Sequence, residues 1–373
     1  MSKEENRKNF SKYVSQNILG MIGFSCYVLA DSYFISIAKG ADGLTALNLV
    51  MPLYSIIFSI GEMIGVGSAI RYAISKIKKD ADADDYFWNA LIWCILSSML
   101  FVFAGIFFSA DIMRVLGADE HIVAVGNNYT KIFMCFAPMF MCNYVTNAFV
   151  RNDGAPGIAM SATLFSSLFN IVFDYILMFP MNLGMEGAAL ATALSPIIGM
   201  GICSIHFFSK KSSVRLVVCK PSVRKLVAGS QLGVSAFVGE MSSAVITLAF
   251  NFVILKLAGN VGVAAYGVVA NIAIVTTAVF NGVAQGSQPL ISSCFGRGDK
   301  DGCTQLKRMG YTTAFVLAAV MYSILFIFAG QFVAVFNSEG SEMLRLYATE
   351  GVKLYFIGIF FAGINIVGGG AFS

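Results

Sequence analysis

Residues 88–110 read WNALIWCILSSMLFVFAGIFFSA, 23 residues without a single charge. A helix needs about 20 apolar residues to cross the roughly 30 Å hydrocarbon core of a bilayer, and this run suffices. The strand-length alternation of a barrel is absent from it. In lipid a helix satisfies its own backbone hydrogen bonds, so the stretch reads as one spanning helix.

Working outward, nine more such runs appear. The ten predicted spans cover 14–37, 45–72, 88–110, 128–149, 158–180, 186–208, 230–256, 263–290, 311–334 and 347–371. Composition agrees: 57% of the 373 residues are hydrophobic, 12% are charged, and the mean hydropathy is +0.75. One water-soluble core could not hide that much apolar surface. The fold class is therefore all-α, a polytopic membrane protein. The first 12 residues are polar, and the apolar stretch after them is too long for a signal-peptide core, so it reads as a retained span. The net charge of +4 calls for no nucleic-acid partner. The eight Cys form no C-x-x-C pair and His121 and His206 stand far apart, which excludes the common metal-cluster patterns. Nucleophile elbows, P-loops and dinucleotide fingerprints are missing too, so neither an enzyme nor a cofactor is expected.

Alternating the spans sorts the basic residues. Nineteen Lys and Arg fall on the side of the N-terminus, among them Arg71, Lys76, Arg151, Lys210, Lys211, Arg215, Arg297 and Lys300. Six fall on the other: Lys39, Arg114, Lys131, Lys256, Arg345 and Lys353. This asymmetry places the N-terminus in the cytoplasm of a plasma (inner) membrane protein.

The halves repeat at an offset of 219–220 residues. Gly40, Gly43 and Ala46 match Gly259, Gly262 and Ala265; Gly67 and Ser68 match Gly286 and Ser287; Phe136 and Phe140 match Phe356 and Phe360. Both repeats start on the same side, so they are parallel, and a central cavity between them would open to each side in turn. The expected organisation is a six-helix bundle over 1–208, a basic cytoplasmic linker over 209–228, and a second bundle over 229–373 with four of an expected six helices. Ser373 falls opposite Asp153, so repeat arithmetic predicts a chain cut short by about 70–90 residues, with a natural ten-helix variant as the alternative.

A carboxylate inside a span is costly and so marks function. Four qualify: Asp31, Glu62, Asp174 and Glu240. At about 1.5 Å per residue, Asp31 lies roughly 26 Å and Asp174 roughly 24 Å from the basic end, and Thr192 sits about 9 Å below the opposite surface. Asn170 shares a helical face with Asp174. Asp31, Asn170, Asp174 and Thr192 thus make an all-oxygen set for cation or proton coupling. It suits a hard monovalent ion such as Na⁺, or a proton held between two carboxylates that resist ionising together. Each Asp could instead cap or pair locally, and Thr192 could bond back to its own helix. Glu240, near mid-depth, is a candidate for coupling or for the substrate cavity, although the repeat aligns Asp31 with Phe250 rather than with it. Asn143 and Asn147 share one face of the fourth span and either line the cavity or join helices. Glu62 is expected to reach solvent or a backbone amide near the basic end. Met and Phe facing the cavity would make a deformable pocket of loose selectivity.

Several stretches together resemble the multidrug and toxic compound extrusion (MATE) family. They are Ala30-Asp31-Ser32-Tyr33-Phe34-Ile35-Ser36, Leu44-Thr45-Ala46-Leu47-Asn48-Leu49-Val50-Met51-Pro52, Phe149-Val150-Arg151-Asn152-Asp153-Gly154-Ala155-Pro156, Asn170-Ile171-Val172-Phe173-Asp174, Gly187-Ala188-Ala189-Leu190-Ala191-Thr192-Ala193 and Gly282-Val283-Ala284-Gln285-Gly286-Ser287-Gln288-Pro289-Leu290. The resemblance implies two bundles exporting drug-like, often cationic molecules against H⁺ or Na⁺, with the residues matching Asp31, Asn170, Asp174 and Thr192 as coupling site. It implies no partner beyond the small-molecule substrate and the lipid bilayer, and the chain is expected to be a monomer. One departure stands out: the first span reads Ser15-Gln16-Asn17-Ile18-Leu19, without the Pro that many members carry there. The rival readings are a lipid-linked precursor flippase, which would want a strongly basic cavity, and a non-transporting membrane receptor or channel.

Overall fold

The structure, a computed structural model, describes residues 3–80, 82–336 and 341–372; among these every regular element is a helix. Helix α1 (Lys3–Ile77) carries the first two spans and breaks at Gly40, with φ +59° and ψ −144°. That backbone state disfavours any residue with a Cβ. Its arms, Glu4–Gly40 and Asp42–Ile77, are each long and apolar enough to cross a bilayer. Helix α2 (Asp85–Val115) is the third span. α3 (Glu120–Cys135) and α4 (Ala137–Asn152) form the fourth, bent by 46°. α5 (Pro156–Met178) and α6 (Gly184–Phe207) are the fifth and sixth. α7 (Val223–Gly296) runs through the seventh and eighth, α8 (Lys300–Ile327) and α9 (Ala329–Phe336) form the ninth, and α10 (Glu342–Tyr355) and α11 (Ile359–Phe372) the tenth. The seventh expected span, 230–256, includes 243, 244, 247, 248, 251, 252 and 255, whose side chains lie outside those described. Eight helices of the described residues, or nine with the bent pair, meet the length and hydropathy of a span.

The repeat is visible in where helices bend. Phe108 interrupts α2 at φ −129° and ψ 15°, and Phe328, at the repeat offset, separates α8 from α9 at φ −104° and ψ 19°. Phe136 parts α3 from α4, and its counterpart Phe356 begins the 3₁₀ turn before α11.

Two large apolar cores form, beside a small cluster of Val150, Ala159, Ala162 and Cys203. One gathers Ile35, Leu47, Val50, Tyr72, Tyr129, Phe133 and Phe149 within α1–α6. The other gathers Val269, Phe280, Val283, Leu306, Val352 and Phe356 from α7–α11, together with Phe10 and Val14 of α1. The helix thus starts well before the apolar run at 14, because Phe10 and Val14 bury against the second core. Outer faces remain apolar: Leu96, Leu100, Phe103 and Phe107 of α2 are exposed at helical spacing, a lipid-facing stripe.

The halves touch at the basic end through two crossings that the repeat relates. A Cβ on Gly67 of α1 would stand 2.7 Å from Gly233 N of α7; a Cβ on Gly286 of α7, the counterpart of Gly67, would stand 2.7 Å from Val14 Cα. Only bare backbone fits at either point.

The linker lies along the first bundle. Buried Asp153 accepts from Ser213 N (2.9 Å), the Ser212 hydroxyl (3.0 Å) and the Ser213 hydroxyl, and it pairs with His206 Nε2 at 2.8 Å. Val214 buries in the first core, Ser222 N donates to Asn89 Oδ1 (2.6 Å), and Lys225 pairs with Asp85.

Candidate functional site

The first bundle brings Asp31, Asn170, Asp174 and Thr192 to one level. Gly20 and Gly23 of α1 lie against Met160, Thr163 and Leu164 of α5. From Gly23 and Leu164 the two helices run side by side, so Asp31, eight residues on, and Asp174, ten residues on, arrive together. Asn170 sits one turn before Asp174. Helix α6 returns tightly, with Gly187 against the backbone of Leu177 and Met178, and presents Thr192.

All four side chains are buried: Asp31 is 7% exposed, Thr192 3%, and Asn170 and Asp174 are fully enclosed. The Asn170 amide links them. With Nδ2 donating to Asp174 Oδ2 at 3.0 Å, its Oδ1 accepts from the Thr192 hydroxyl at 3.2 Å. The opposite orientation would set the amide oxygen against the carboxylate, acceptor against acceptor, which disfavours it. Asp31 and Asp174 are near enough to repel one another. Oδ1 of each has no hydrogen-bond partner among the described residues. A buried unpaired carboxylate oxygen is expensive, and two beside each other more so. A shared proton, or a small hard cation on the oxygens, removes that cost, and the donor set fits either. No cluster of three or more His, Cys, Asp or Glu suited to a metal occurs among the described residues.

Three phenols complete the neighbourhood. Tyr27, Tyr54 and Tyr129 lie within the field of both carboxylates. The Tyr54 and Tyr129 hydroxyls hydrogen-bond, and the Tyr54 ring stacks on Phe133 with centroids 3.7 Å apart. Sequence reasoning passed over these residues. The signal for Tyr27 was its place one turn before Asp31; Tyr54 and Tyr129 had none, since only packing unites them.

The remaining candidates lie elsewhere. Half-buried Glu240 of α7 acts on Glu62 of α1 and on Tyr144 rather than on the Asp pair. Glu62 itself is half-buried and keeps part of its surface exposed, between the repulsion of Glu240 and the attraction of Arg151. Asn147 joins helices: its Nδ2 donates to Ala159 O and to the Thr163 hydroxyl, both at 3.2 Å, tying α4 to α5. Asn143 packs its amide against Gly199 of α6.

A helical chain of two repeat-related halves, with chargeable groups sunk between apolar faces, has the makings of a multi-pass membrane transporter. The chain belongs to the MatE family, whose model matches residues 17–176 and 236–373. It is 27% identical over 336 residues to the multidrug export protein MepA of Staphylococcus aureus (strain MRSA252), spanning 89% of this chain and 72% of that protein. To the protein of the same name from Staphylococcus saprophyticus it is 25% identical over 360 residues, spanning 93% and 78%. In fold it is similar to a MOP superfamily transporter from Pyrococcus furiosus, with a TM-score of 0.87 at 21% identity over 98% of this chain and 84% of that one. A MATE structure in the bent conformation gives 0.81 at 21% identity, over 98% and 83%. The relatives are named as exporters, which sets the chain among transporters and not enzymes.

Proposed function

We propose that this chain exports drug-like, often cationic small molecules in exchange for H⁺ or Na⁺, by alternating access between the bundles 1–208 and 229–373. The N-terminus and the linker 209–228 face the cytoplasm, in keeping with 19 basic residues on that side against six. The single observation carrying the coupling is the buried pair Asp31 and Asp174, each with an unpartnered oxygen. Two charges there strain the first bundle; one proton or one cation relieves it. Occupancy therefore changes how α1 packs on α5, and only a difference in packing between two bundle orientations can link two fluxes. The substrate binds between the bundles, in a bilayer, to a monomer.

The test uses purified chain in vesicles. With an imposed gradient, Asp31→Asn and Asp174→Asn should each lower dye efflux about ten-fold or more, the scale of one lost charge-assisted interaction, while both variants still bind dye. Normal gradient-driven efflux by both would remove the coupling site. Radioactive sodium uptake against pH-driven efflux then separates the two ions.

A further inference from the structure

Arg151 ends α4 and is only 4% exposed. Its Nη1 donates to Asn17 Oδ1 at 3.1 Å and to Gln285 Oε1 across the bundle interface; among the described residues Nε has no partner. A chamber of about 10 Å³, room for about one water, is lined by Arg151, Asn17, Asn147, Thr163 and Gln285. Guanidinium keeps its charge at any working pH, yet both acceptors it holds are neutral amides. Glu62, on the second arm of α1, attracts Arg151 but makes no hydrogen bond to it.

We propose that Arg151 is the gating residue of the transport cycle: it closes the basic end by holding Gln285 of the second bundle and passes to Glu62 when the bundles part. The inference rests on the alternating-access reading above. Neutral partners take up the Nη1 hydrogens without compensating the guanidinium's charge. The closed state is therefore held by a bond that is specific in direction but shallow in energy. Around it the two crossings at Gly67–Gly233 and Gly286–Val14 bring backbones into contact, so closure is tight only while they stay registered. Separating them removes Gln285 and frees Arg151 for the nearby carboxylate, which lowers the cost of the open state. The repeat gives this latch no twin: the counterparts of Arg151 and Gln285 are Ala371 and Val66. One bundle thus carries the cation and the other only an acceptor.

The experiment places spin labels, through an unnatural amino acid, at exposed Lys78 and Lys300 on the two bundles and measures their distance distribution with and without a transported dye. In the parent protein the short distance should dominate and the dye should populate a longer one. Gln285→Met and Arg151→Met should each raise the open fraction about ten-fold without dye, as losing a hydrogen bond to a charged donor would, and the double variant should add little. Glu62→Gln should reduce the dye-induced open fraction. Unchanged distributions in Gln285→Met, which leaves the charge in place and tests the latch even if Arg151→Met misfolds, would overturn the proposal while dye-driven opening in the parent survives. A parent protein that never lengthens would instead remove alternating access itself.

Discussion

Asp31 and Phe250 hold the same place in the two repeats and live opposite lives. Asp31 is sealed beside Asp174, an oxygen unpartnered. Phe250 stacks on Tyr266, with centroids 5.3 Å apart and rings 10° from parallel, and meets Tyr355 edge-on at 6.0 Å. Where the first bundle stores a chargeable group at a cost, the second stores aromatic contact at a gain. The halves share a backbone plan, down to the bends at Phe108 and Phe328, but at this matched position only the first carries a group that can be charged. On the coupling proposed above, the first bundle would sense the ion and the second would follow.

The largest effect should come from neutralising the sensor. Asp174→Asn should lower gradient-driven efflux in vesicles about ten-fold or more yet raise the thermal midpoint in detergent, because a buried repulsion worth about 1–2 kcal/mol disappears; a lower midpoint would mean the carboxylate is structural. Next, Phe250→Asp would give the second bundle a carboxylate without the first bundle's amide and hydroxyl. Thermal unfolding should show a loss of about 2–4 kcal/mol, the cost of an isolated charge in a span. If the chain tolerates it, the two bundles are more alike than their side chains indicate. Phe250→Ala should cost about 2 kcal/mol by removing the stack and leave ion dependence of efflux intact. The smallest change is Tyr54→Phe, which deletes the hydroxyl bonded to Tyr129 for about 1 kcal/mol; a large drop in efflux would instead bring these phenols into the proton path.

How far the sequence reveals this follows from what each feature costs. Spans and in-span carboxylates are legible because lipid penalises every exception, so Asp31 and Asp174 stand out. Asn170 and Thr192 follow from helical spacing and family resemblance. The bends are less so: Pro138 announces the break at Phe136, whereas Phe108 and Phe328 sit in ordinary helix-forming stretches. Arg151 reads as one more basic residue beside a loop, since nothing local tells that Asn17 and Gln285, each 134 residues away, close over it. Asp153 and His206 look unrelated for the same reason. Local pattern finds what a residue must avoid; it does not find its distant partner.

The linker carries a last consequence. Residues 212–222 are fastened to the first bundle at Asp153, the first core and Asn89, so they travel with it as cargo on one leaf. The start of α7 is held there as well, by Lys225 on Asp85 and by Leu226 and Leu232 against the first core. A stretch that reads in sequence as slack rope is thus, for most of its length, part of the first bundle's own wall.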